Sequence, residues 1–410
     1  MKKYLVALLV AIMTAFTTHA QTVRICSYNL LNFPGSTGEA RLPCFKLVID
    51  AIAPNILFTQ EMVSDDGAAM FLSGAFDSTW SRSTFQGGDA EYTLFYRHDL
   101  FQLMGIASVP TDLRMIEIYE LEFVPQPNRP HLFIATSHLK ASTGSDNEER
   151  RLYEVNAFLN YFTTNLSDEN VFFGGDFNFY SSSEPAYQAL LADNNFKDPL
   201  DASGNWHDNA SFASIHTQSP RTLQFGGGAN GGLDDRFDFV LATSKLFDET
   251  AWEYSESSYT AFGNDGRHLN LALIDTVDGI VNSVVATEIA SAIHAAADHL
   301  PVYLDLVYMP EDGLDERHSS IAKDYEILSA YPNPFNPTLS VVVGLSQREN
   351  LYVTIYNSIG QKVGDLSDGT ATKGYHTFSF DGRNVTNGVY FVHVSVPNKM
   401  NLVRKVVLVK

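Results

Sequence analysis

The nine residues VFFGGDFNF at positions 171–179 constrain the fold more than any other part of this sequence. An apolar run leads into two glycines and then into Asp176 and Asn178. A short apolar run bounded by glycine is typical of a buried strand, and glycine lets the backbone turn sharply or approach a ligand closely. Residues two apart in extended backbone face the same side, so Asp176 and Asn178 would form an acid–amide pair suited to an anion. A β-turn is the alternative interpretation, because Asp, Asn and Gly are common in turns.

Other apolar segments share this feature, since they end in, or follow directly after, a residue that can bind a metal or a phosphate. These residues are Asn29, Glu61, His138, and the pair Asp298 and His299. Soluble proteins usually place such side chains on outer faces or in turns. The carboxyl ends of strands in α/β sheets are also where sites tend to form. Together with Asp176, these positions predict one shared site at the strand ends.

The remaining pattern predicts an alternation of strands and helices. Apolar spacing of three and four residues predicts helices at 41–53 and 148–166. Strands are predicted at 22–30, 56–61, 92–97, 101–107, 115–124, 131–138, from 171, at 236–241 and at 301–308. The glycine run at 226–232 lacks the Lys-Ser/Thr of a phosphate loop, so a flexible surface loop is predicted there.

Composition indicates a globular, exported protein. The chain has 410 residues, of which 45% are hydrophobic and 18% charged, and it is long enough for two domains. Residues 1–20 begin with Lys2 and Lys3, continue with an apolar run and end at Ala20, which is typical of a cleaved export signal. No later stretch is long and apolar enough to cross a bilayer. We therefore expect a soluble exported protein, or one attached to a surface by other means.

The charge is distributed unevenly along the chain. Residues 21–324 carry 43 acidic and 17 basic residues, a net charge of −26, whereas residues 325–410 carry a net charge of +3. Such acidity repels polyanions unless metal ions reverse the field locally. It argues against a nucleic-acid-binding module with a basic patch, but leaves room for an enzyme that handles phosphates through a metal.

Two cysteines, Cys26 and Cys44, are too few for a disulfide scaffold. A bridge would need Cα atoms within roughly 7 Å of each other. We expect two buried free thiols instead.

The segment at residues 22–309 resembles the endonuclease/exonuclease/phosphatase superfamily, which includes pancreatic deoxyribonuclease, abasic-site endonucleases, bacterial sphingomyelinases and inositol-polyphosphate phosphatases. Each motif is weak alone, but together they occur in the family's order. The resemblance implies a four-layer α/β sandwich with two central mixed sheets. It also implies hydrolysis of a phosphate ester with Mg²⁺, or with Mn²⁺ or Ca²⁺ as alternatives. The matching stretches are Tyr28-Asn29, Gln60-Glu61, His138-Leu139-Lys140-Ala141, Gly175-Asp176-Phe177-Asn178, Arg236-Phe237-Asp238-Phe239 and Asp298-His299-Leu300-Pro301-Val302.

By resemblance, Glu61 holds the principal metal ion, with Asn29 and Asp298 at or near the metal cluster. Mg²⁺ keeps several waters and takes one or two carboxylates, so this sparse ligand set suits it.

The resemblance also assigns the acid–base residues. Asp176 would orient or deprotonate the attacking water, and Asn178 would donate a hydrogen bond to the phosphate. His138 and His299 would contact phosphate oxygens, with Asp238 holding His299 in one tautomer. Asp238 lies among aromatic residues, and its alternative partners are backbone N–H groups or the neighbouring arginine.

The sequence departs from the family pattern at two positions. Ala297 stands where a serine often precedes the Asp-His pair, and Glu91 is an approximate counterpart of the glutamate that supports the first histidine in pancreatic deoxyribonuclease. The other histidines are expected to be exposed or satisfied by hydrogen bonds. They are His98, His131, His207, His216, His268, His294, His376 and His393.

The C-terminal part is expected to form a domain of its own. A polar linker at 310–329 separates the catalytic domain, residues 21–309, from residues 330–410. Short strands alternate with turn signals, which predicts a small β-sandwich. Strands are predicted at 339–345, 351–357, 375–380, 389–396 and 403–409.

This C-terminal segment resembles the sorting domain of type IX secretion. The resemblance rests on the opening YPNPFNPT at 331–338, IYNSIGQ at 355–361 and NGVY at 387–390. It implies export through the outer membrane by the type IX machinery, followed by release or surface attachment. An immunoglobulin-like spacer or a carbohydrate-binding module is the alternative.

Two classes of function follow. The first is a secreted metal-dependent phosphodiesterase, an extracellular endonuclease by preference, with a sphingomyelinase-like or other small phosphoester hydrolase as the alternative. The second is an inactive surface binding protein that kept the fold. A monomer is expected in either case.

Overall fold

The computed structural model describes residues 21–88, 91–125, 130–247, 251–255, 257–308, 326–331, 333, 335–345, 348–371, 374–397 and 399–410. The predicted export signal and most of the predicted linker lie outside these residues. The chain divides into two compact units, one up to Pro310 and the other from Glu311. Within the described part, no helix combines the length and apolarity needed to cross a membrane.

The first unit alternates strands with helices. Its strands are β1 (Gln21–Phe33), β2 (Ile56–Met62), β3 (Trp80–Arg82), β4 (Thr93–Arg97), β5 (Phe101–Val109), β6 (Ile116–Phe123), β7 (Leu132–His138), β8 (Asn170–Asp176), β9 (Phe196–Lys197), β10 (Asp238–Thr243), β11 (Trp252–Tyr254), β12 (Thr260–Ala261) and β13 (Val302–Tyr308). Its helices are α1 (Gly38–Ile52), α2 (Asp65–Ala75), α3 (Ser145–Asn165), α4 (Pro185–Leu191) and α5 (Thr287–Ala296). Short 3₁₀ turns lie at Ala192–Asn194, Ala210–Ile215 and Ser244–Phe247.

These strands form two mixed sheets. The first has the order β11-β13-β1-β2-β4-β3, with β12 also pairing with β13. The second has the order β5-β6-β7-β8-β10-β9. Each sheet contains one parallel pair, β1 with β2 and β7 with β8, and the neighbouring strands run antiparallel. A parallel pair places the carboxyl ends of both its strands at one edge of the sheet.

The two sheets face each other, with helices outside. The Gln60 side chain on β2 donates a 3.0 Å hydrogen bond to the Thr136 hydroxyl on β7, and the rings of Phe123 and Tyr308 lie 4.8 Å apart across the sheets. Helices α1, α2 and α5 pack in one core cluster with β1 and β2. Helices α3 and α4 pack in another with β8 and β10. The predicted four-layer α/β sandwich is confirmed.

Two glycines let the central strand fit between its neighbours. Strand β8 runs straight through Gly174 and Gly175 to Asp176, so the predicted strand is observed and the β-turn is not. A Cβ atom on Gly175, which has φ +133°, would lie 2.0 Å from the Ser137 carbonyl oxygen on β7. A Cβ atom on Gly174 would lie 2.6 Å from the Phe239 carbonyl oxygen on β10. The glycines therefore serve close strand packing, not the turn or ligand approach that we expected.

The two helices predicted at 41–53 and 148–166 are observed, and each begins three residues before its predicted start, at Gly38 and Ser145. Helices α2, α4 and α5 were not predicted, although the apolar faces of α2 and α5 are at least as periodic as those of the predicted helices α1 and α3. Both cysteines are free, as expected. Cys26 is buried, but Cys44 is only partly buried, which corrects the expectation of two buried thiols.

The second unit consists of strands in two sheets. They are β14 (Glu326–Tyr331), β15 (Thr338–Leu345), β16 (Glu349–Asn357), β17 (Lys362–Ala371), β18 (Gly374–Asp381), β19 (Gly388–Val396) and β20 (Met400–Leu408). The sheet orders are β14-β15-β18 and β17-β16-β19-β20, and one apolar core lies between them. The predicted all-β domain is confirmed. The linker predicted to end at residue 329 is too long, because β14 already begins at Glu326. Strand β17 was missed because its sequence is polar.

One buried acid of the first unit has no cationic partner. Glu117 on β6 is fully buried and accepts a hydrogen bond from the Tyr119 hydroxyl, while its other carboxylate oxygen has no partner among the described residues. Burial raises the pKa of Glu117 to about 7, although the Tyr119 hydrogen bond opposes the shift. The ionised form is therefore unfavourable in the folded protein.

Glu117→Gln should stabilise the protein at pH 8 but not at pH 4. An unfolded glutamate has a pKa of about 4.3, so between about pH 4.3 and 7 the folded state binds more protons than the unfolded state. The free energy of unfolding of the natural protein should therefore fall as the pH rises through this window. The variant should not show this decrease, so its free energy of unfolding at pH 8 should exceed that of the natural protein by about 1–3 kcal/mol. Urea unfolding at both pH values measures this, with exposed Glu149→Gln as control. A difference that does not vary with pH would contradict the expectation.

Candidate active site

One edge of the paired sheets collects all the predicted site residues. The parallel strands β1 and β2 bring Asn29 and Glu61, and β7 and β8 bring His138 and Asp176 in direct register. The antiparallel strand β10 starts at this same edge, where Asp238 pairs in register with Asp176. The segment before β13 arrives there as well, because β13 runs antiparallel to β1. The shared site predicted from the sequence therefore exists as one cluster of side chains.

Asp176 occupies the centre of this cluster and is 2% exposed. Its Oδ2 accepts a hydrogen bond from the Asn29 amide at 3.2 Å and lies 3.5 Å from Nε2 of both His138 and His299. Burial raises the pKa of Asp176 to about 7. His299 opposes this shift, while the charges of Asp238, Glu61 and Asp298 add to it. This carboxylate is thus poised near neutrality to hold or release a proton.

Asn178 holds Asp176 from the other side. The backbone N–H of Asn178 donates to Oδ1 of Asp176 at 3.2 Å, and its side-chain nitrogen donates to the same oxygen at 2.8 Å and to the Leu139 carbonyl at 3.3 Å. These donors are therefore engaged within the protein. The amide orients Asp176 here, instead of pointing to a phosphate as the resemblance implied.

Glu61 is fixed in a constrained backbone conformation at the end of β2. Its φ of +58° lies in the left-handed region, which is uncommon for a residue with a side chain and tends to occur at functional sites. Its carboxylate accepts hydrogen bonds from the Asn29 amide at 3.0 Å and from the Asn32 backbone at 2.8 Å. Burial and the charge of Asp298 raise the pKa of Glu61. Glu61 and Asp298 are thus close enough to repel one another when both are ionised.

Asp238 and His299 form a buried pair. His299 Nδ1 lies 2.7 Å from Asp238 Oδ2, and both residues are at most 2% exposed. Burial alone would lower the pKa of His299, but the carboxylates of Asp238 and Asp176 outweigh it and hold this pKa well above the ordinary value. Arg236, the alternative partner considered for Asp238, instead forms a buried double hydrogen bond with Asp198 at 2.7 and 2.8 Å.

His138 is supported differently from the expectation. Glu91 does not contact the ring but pairs with Arg114 at 3.0 Å, and Arg114 donates to the His138 backbone carbonyl at 3.3 Å. The ring nitrogen Nδ1 is buried and has no hydrogen-bond partner among the described residues. Burial, assisted by the charge of Arg114, holds the pKa of His138 well below its ordinary value. His138 is therefore a neutral imidazole with a free nitrogen.

The glycine run at 226–232 is a largely exposed loop, as predicted, but it also contacts the site, which was not expected. The Ala229 backbone N–H donates a 2.5 Å hydrogen bond to Oδ2 of Asp298. A Cβ atom on Gly228 would lie 2.6 Å from that same oxygen. Only glycine lets the loop approach the carboxylate so closely. The glycine-rich composition of this loop is visible in the sequence, but the residue that the loop contacts, Asp298, lies 70 residues away in the chain.

Sequence reasoning missed Gln218 entirely. Its side-chain amide lies 2.6 Å from Nε2 of His299, the ring nitrogen that does not face Asp238. The Gln218 backbone is bridged to both Asp235 and His299, which fixes the direction of the side chain. No sequence motif marks this residue, because its position depends on how three distant segments pair.

The residues at this edge suit a divalent cation. Ligand atoms of Glu61, His138 and Asp176 lie within 4.8 Å of one another. Oδ1 of Asp298 is a buried carboxylate oxygen without a hydrogen-bond partner among the described residues. Buried anionic oxygens normally have a partner, and a cation would provide one. The resemblance implied Glu61, Asn29 and Asp298 as ligands; Glu61 is common to that set and to the converging group.

Several histidines outside this cluster have hydrogen-bond partners, as expected. His131 pairs with Glu120, His216 with the Trp206 carbonyl, and His268 with Asp265. Exposed His207 pairs with Asp235 at 2.8 Å and, with Asp234, forms a second group of potential metal ligands within 4.8 Å of one another.

Comparison with protein families gives a match to the second unit. Residues 329–410 match the secretion system C-terminal sorting domain. The predicted resemblance of this segment is confirmed. No curated protein matches the chain significantly.

Several solved structures are similar to this chain but share little sequence with it. A D. rerio TDP2 complexed with a single-strand DNA product has 14% identity and a TM-score of 0.48, covering 70% of this chain and 98% of that one. An endonuclease/exonuclease/phosphatase family protein from Bacteroides thetaiotaomicron has 14% identity and a TM-score of 0.47, covering 72% and 100%. A relative of the same description from Bacteroides vulgatus has 13% identity and a TM-score of 0.47, covering 70% and 100%.

Glu61→Gln should weaken the stabilisation of the protein by Mg²⁺. A ligand that binds only the folded state raises the melting temperature as its concentration rises above its dissociation constant. Removing the charge of Glu61 should shift the Mg²⁺ concentration that produces a given rise by at least ~10-fold, as expected for a lost charged ligand. Thermal melts over a Mg²⁺ titration measure this, repeated with Mn²⁺ and Ca²⁺. Exposed Glu39→Gln on α1 is the control, and equal curves for all three proteins would contradict the assignment.

Proposed function

We propose that the protein is an exported, metal-dependent phosphodiesterase, with extracellular nucleic acid as its first candidate substrate. The observation that carries the proposal is the arrangement around Asp176. One carboxylate oxygen faces two imidazoles at 3.5 Å, and Asp238 backs one of them. A proton-accepting carboxylate beside a charged imidazole is what in-line attack of water on a phosphodiester requires.

Each residue has a role in the proposed reaction. Asp176, held by Asn178, accepts the proton of the attacking water. His299 carries a positive charge that Asp238 stabilises, and its Nε2 faces the negative charge that develops on the phosphate oxygens. Neutral His138 contacts the phosphate from the opposite side of Asp176.

Glu61 and Asp298 would hold the metal ion. The Asn29 amide nitrogen donates to Glu61 and Asp176 and its oxygen accepts from the Leu31 N–H, so Asn29 orients these carboxylates instead of serving as the ligand that the resemblance implied. When bound, the ion neutralises charge on the phosphate and on the leaving oxygen. The protein's own contribution is to keep two mutually repelling carboxylates, Glu61 and Asp298, at the same buried edge. The Asn29 amide and the Ala229 N–H limit that repulsion.

A small phosphoester is the second candidate substrate, as in a sphingomyelinase-like or other small phosphoester hydrolase. The net charge of −26 on residues 21–324 favours it, because an acidic surface repels long polyanions. The third possibility is an inactive surface binding protein. It does not explain why the Asp238–His299 pair is buried or why Glu61 has a constrained backbone conformation.

We also propose that the C-terminal unit directs export through the type IX machinery. The match of residues 329–410 to the secretion system sorting domain supports this proposal. The protein would then be released, or retained on the outer surface of the cell.

The purified protein should hydrolyse a phosphodiester in Mg²⁺ and lose this activity in excess EDTA. A panel of plasmid DNA, RNA, sphingomyelin and inositol phosphates, assayed with and without EDTA, separates the two candidate substrates. Cleavage of DNA or RNA supports a nuclease, and cleavage of sphingomyelin alone supports the second candidate. Full turnover in EDTA would refute the metal-dependent mechanism, and no turnover of any substrate would favour the binding protein.

Asp238→Asn should lower turnover by at least ~10²-fold while changing the melting temperature little. The amide keeps the shape of the side chain but cannot stabilise the positive charge on His299. The matched control is Asp198→Asn, which removes an equally buried carboxylate whose partner is Arg236, outside the cluster. That control should lose stability and keep its turnover per folded molecule. The opposite pattern, in which Asp238→Asn melts early but turns over normally, would make Asp238 a fold residue.

A further inference from the structure

A polar cleft of about 500 Å³ has as one wall residue Tyr180, which follows Asn178 by two positions in the chain. Arg151, which donates to the wall residue Glu184, also donates to the Lys140 carbonyl at 2.8 Å, two positions after His138. The segments that follow Asn178 and His138 thus lead from the candidate active site to the walls of the cleft. The cleft is lined by Glu148, Tyr180, Ser181, Ser182, Ser183, Glu184, Gly204 and Asn205.

The walls of this cleft are held rigidly by the protein itself. Glu184 is 4% exposed and accepts hydrogen bonds from buried Arg151 at 2.8 Å and from the Tyr180 backbone at 2.8 Å. The Ser182 backbone donates to the Gly204 carbonyl at 2.8 Å, and the Gly204 backbone donates to the Ser182 hydroxyl at 2.9 Å. Such reciprocal bonds fix the opposing walls before any ligand arrives, which lowers the cost of binding.

The lining groups are suited to hydroxyl groups of a ligand. The Ser182 hydroxyl accepts a hydrogen bond from Gly204, so its own hydrogen remains available to donate. Ser181 and Ser183 lie 2.8 Å apart and share one hydrogen bond, which leaves a second hydroxyl hydrogen available. Carboxylate oxygens accept hydrogen bonds in return.

The same groups disfavour other ligands. The charge of Glu184 is paired with Arg151, but Glu148 adds a negative charge and no lysine or arginine is among the lining residues, so a second phosphate group is disfavoured. The Arg151 guanidinium lies 5.8 Å from the centre of the Tyr180 ring, and its positive charge disfavours a cation at that ring.

We propose that this cleft is a subsite for an uncharged, hydroxyl-bearing group attached to the scissile phosphate, a sugar in particular. This inference rests on the proposed phosphodiesterase function and names the chemical class of its substrate. The phosphate lies at Asp176 and His299, and the sugar lies beyond Tyr180 against the three serines. If the substrate were a polymer, its next phosphate would have to lie outside the cleft, in solvent.

Calorimetry on the full-length protein in Mg²⁺ tests this by comparing ribose 5-phosphate with ethyl phosphate, which lacks the sugar hydroxyls. The protein should bind ribose 5-phosphate at least ~10-fold more tightly, as expected for two additional hydrogen bonds. In the double variant Ser181→Ala/Ser182→Ala this preference should disappear, while the affinity for ethyl phosphate stays unchanged. The matched control is Ser291→Ala on the exposed face of α5, which should keep the preference.

Equal affinities of the unaltered protein for the two phosphates would overturn the proposal. So would tighter binding of phosphocholine than of ribose 5-phosphate, since that would mark a site for a cation. Hydrolysis of bis(p-nitrophenyl) phosphate, which has no sugar, tests the catalytic function separately. Hydrolysis without a sugar preference refutes the subsite alone. A sugar preference that depends on the serines, without hydrolysis, refutes the phosphodiesterase and keeps the subsite.

Discussion

The active site depends on how one buried carboxylate, that of Asp176, is satisfied. Burying a charge is costly unless hydrogen bonds or opposite charges compensate it. Asn29 and Asn178 donate to Asp176, and His299 brings the positive charge that Asp238 stabilises in turn. The other polar side chains of the site lie around this carboxylate.

The excess of negative charge at the site explains why it suits a metal ion. Glu61 and Asp298 add negative charge at the same edge, and their proximity raises the pKa of Glu61 further after burial has done so. The available imidazolium cannot neutralise all of these acids. A divalent cation at this edge would remove the repulsion, and in the proposed reaction it would do so while neutralising the phosphate. The strong overall acidity of the first unit is then compatible with a phosphoester substrate, provided that the substrate is short or enters with its uncharged end in the serine-lined cleft.

The scaffold creates this edge through strand direction. Each sheet contributes one parallel pair, and the carboxyl ends of both pairs meet where the sheets face each other. Antiparallel β10 and β13 begin at the same edge, so the residues at or just before their starts join the cluster. The close packing of β8 between β7 and β10 requires glycine at 174 and 175, because a Cβ atom at either position would overlap a neighbouring backbone. The glycines beside Asp176 are thus conditions for the sheet that carries it.

The sequence by itself determined the alternation of strands and helices in the first unit, the all-β second unit and much of the membership of the site. Apolar periodicity marks buried strands and helices locally, and a polar residue at the end of an apolar strand stands out against that pattern, as at Asn29, Glu61, His138 and Asp176. The four layers and the pairing of Asp238 with His299 came from the family resemblance. Helix α5 was overlooked, and β17 was missed because its sequence is polar. The tertiary structure alone decided four contacts. The Gln218 amide contacts the His299 ring, and the backbone of Gly228 and Ala229 packs against Asp298. Arg114, not His138, pairs with Glu91, and the Asn178 amide donates to Asp176. The first three contacts join backbone segments brought together by strand pairing or loop packing, and the geometry of such a meeting is not encoded in either segment alone. The fourth depends on the left-handed backbone conformation of Asn178 just after β8.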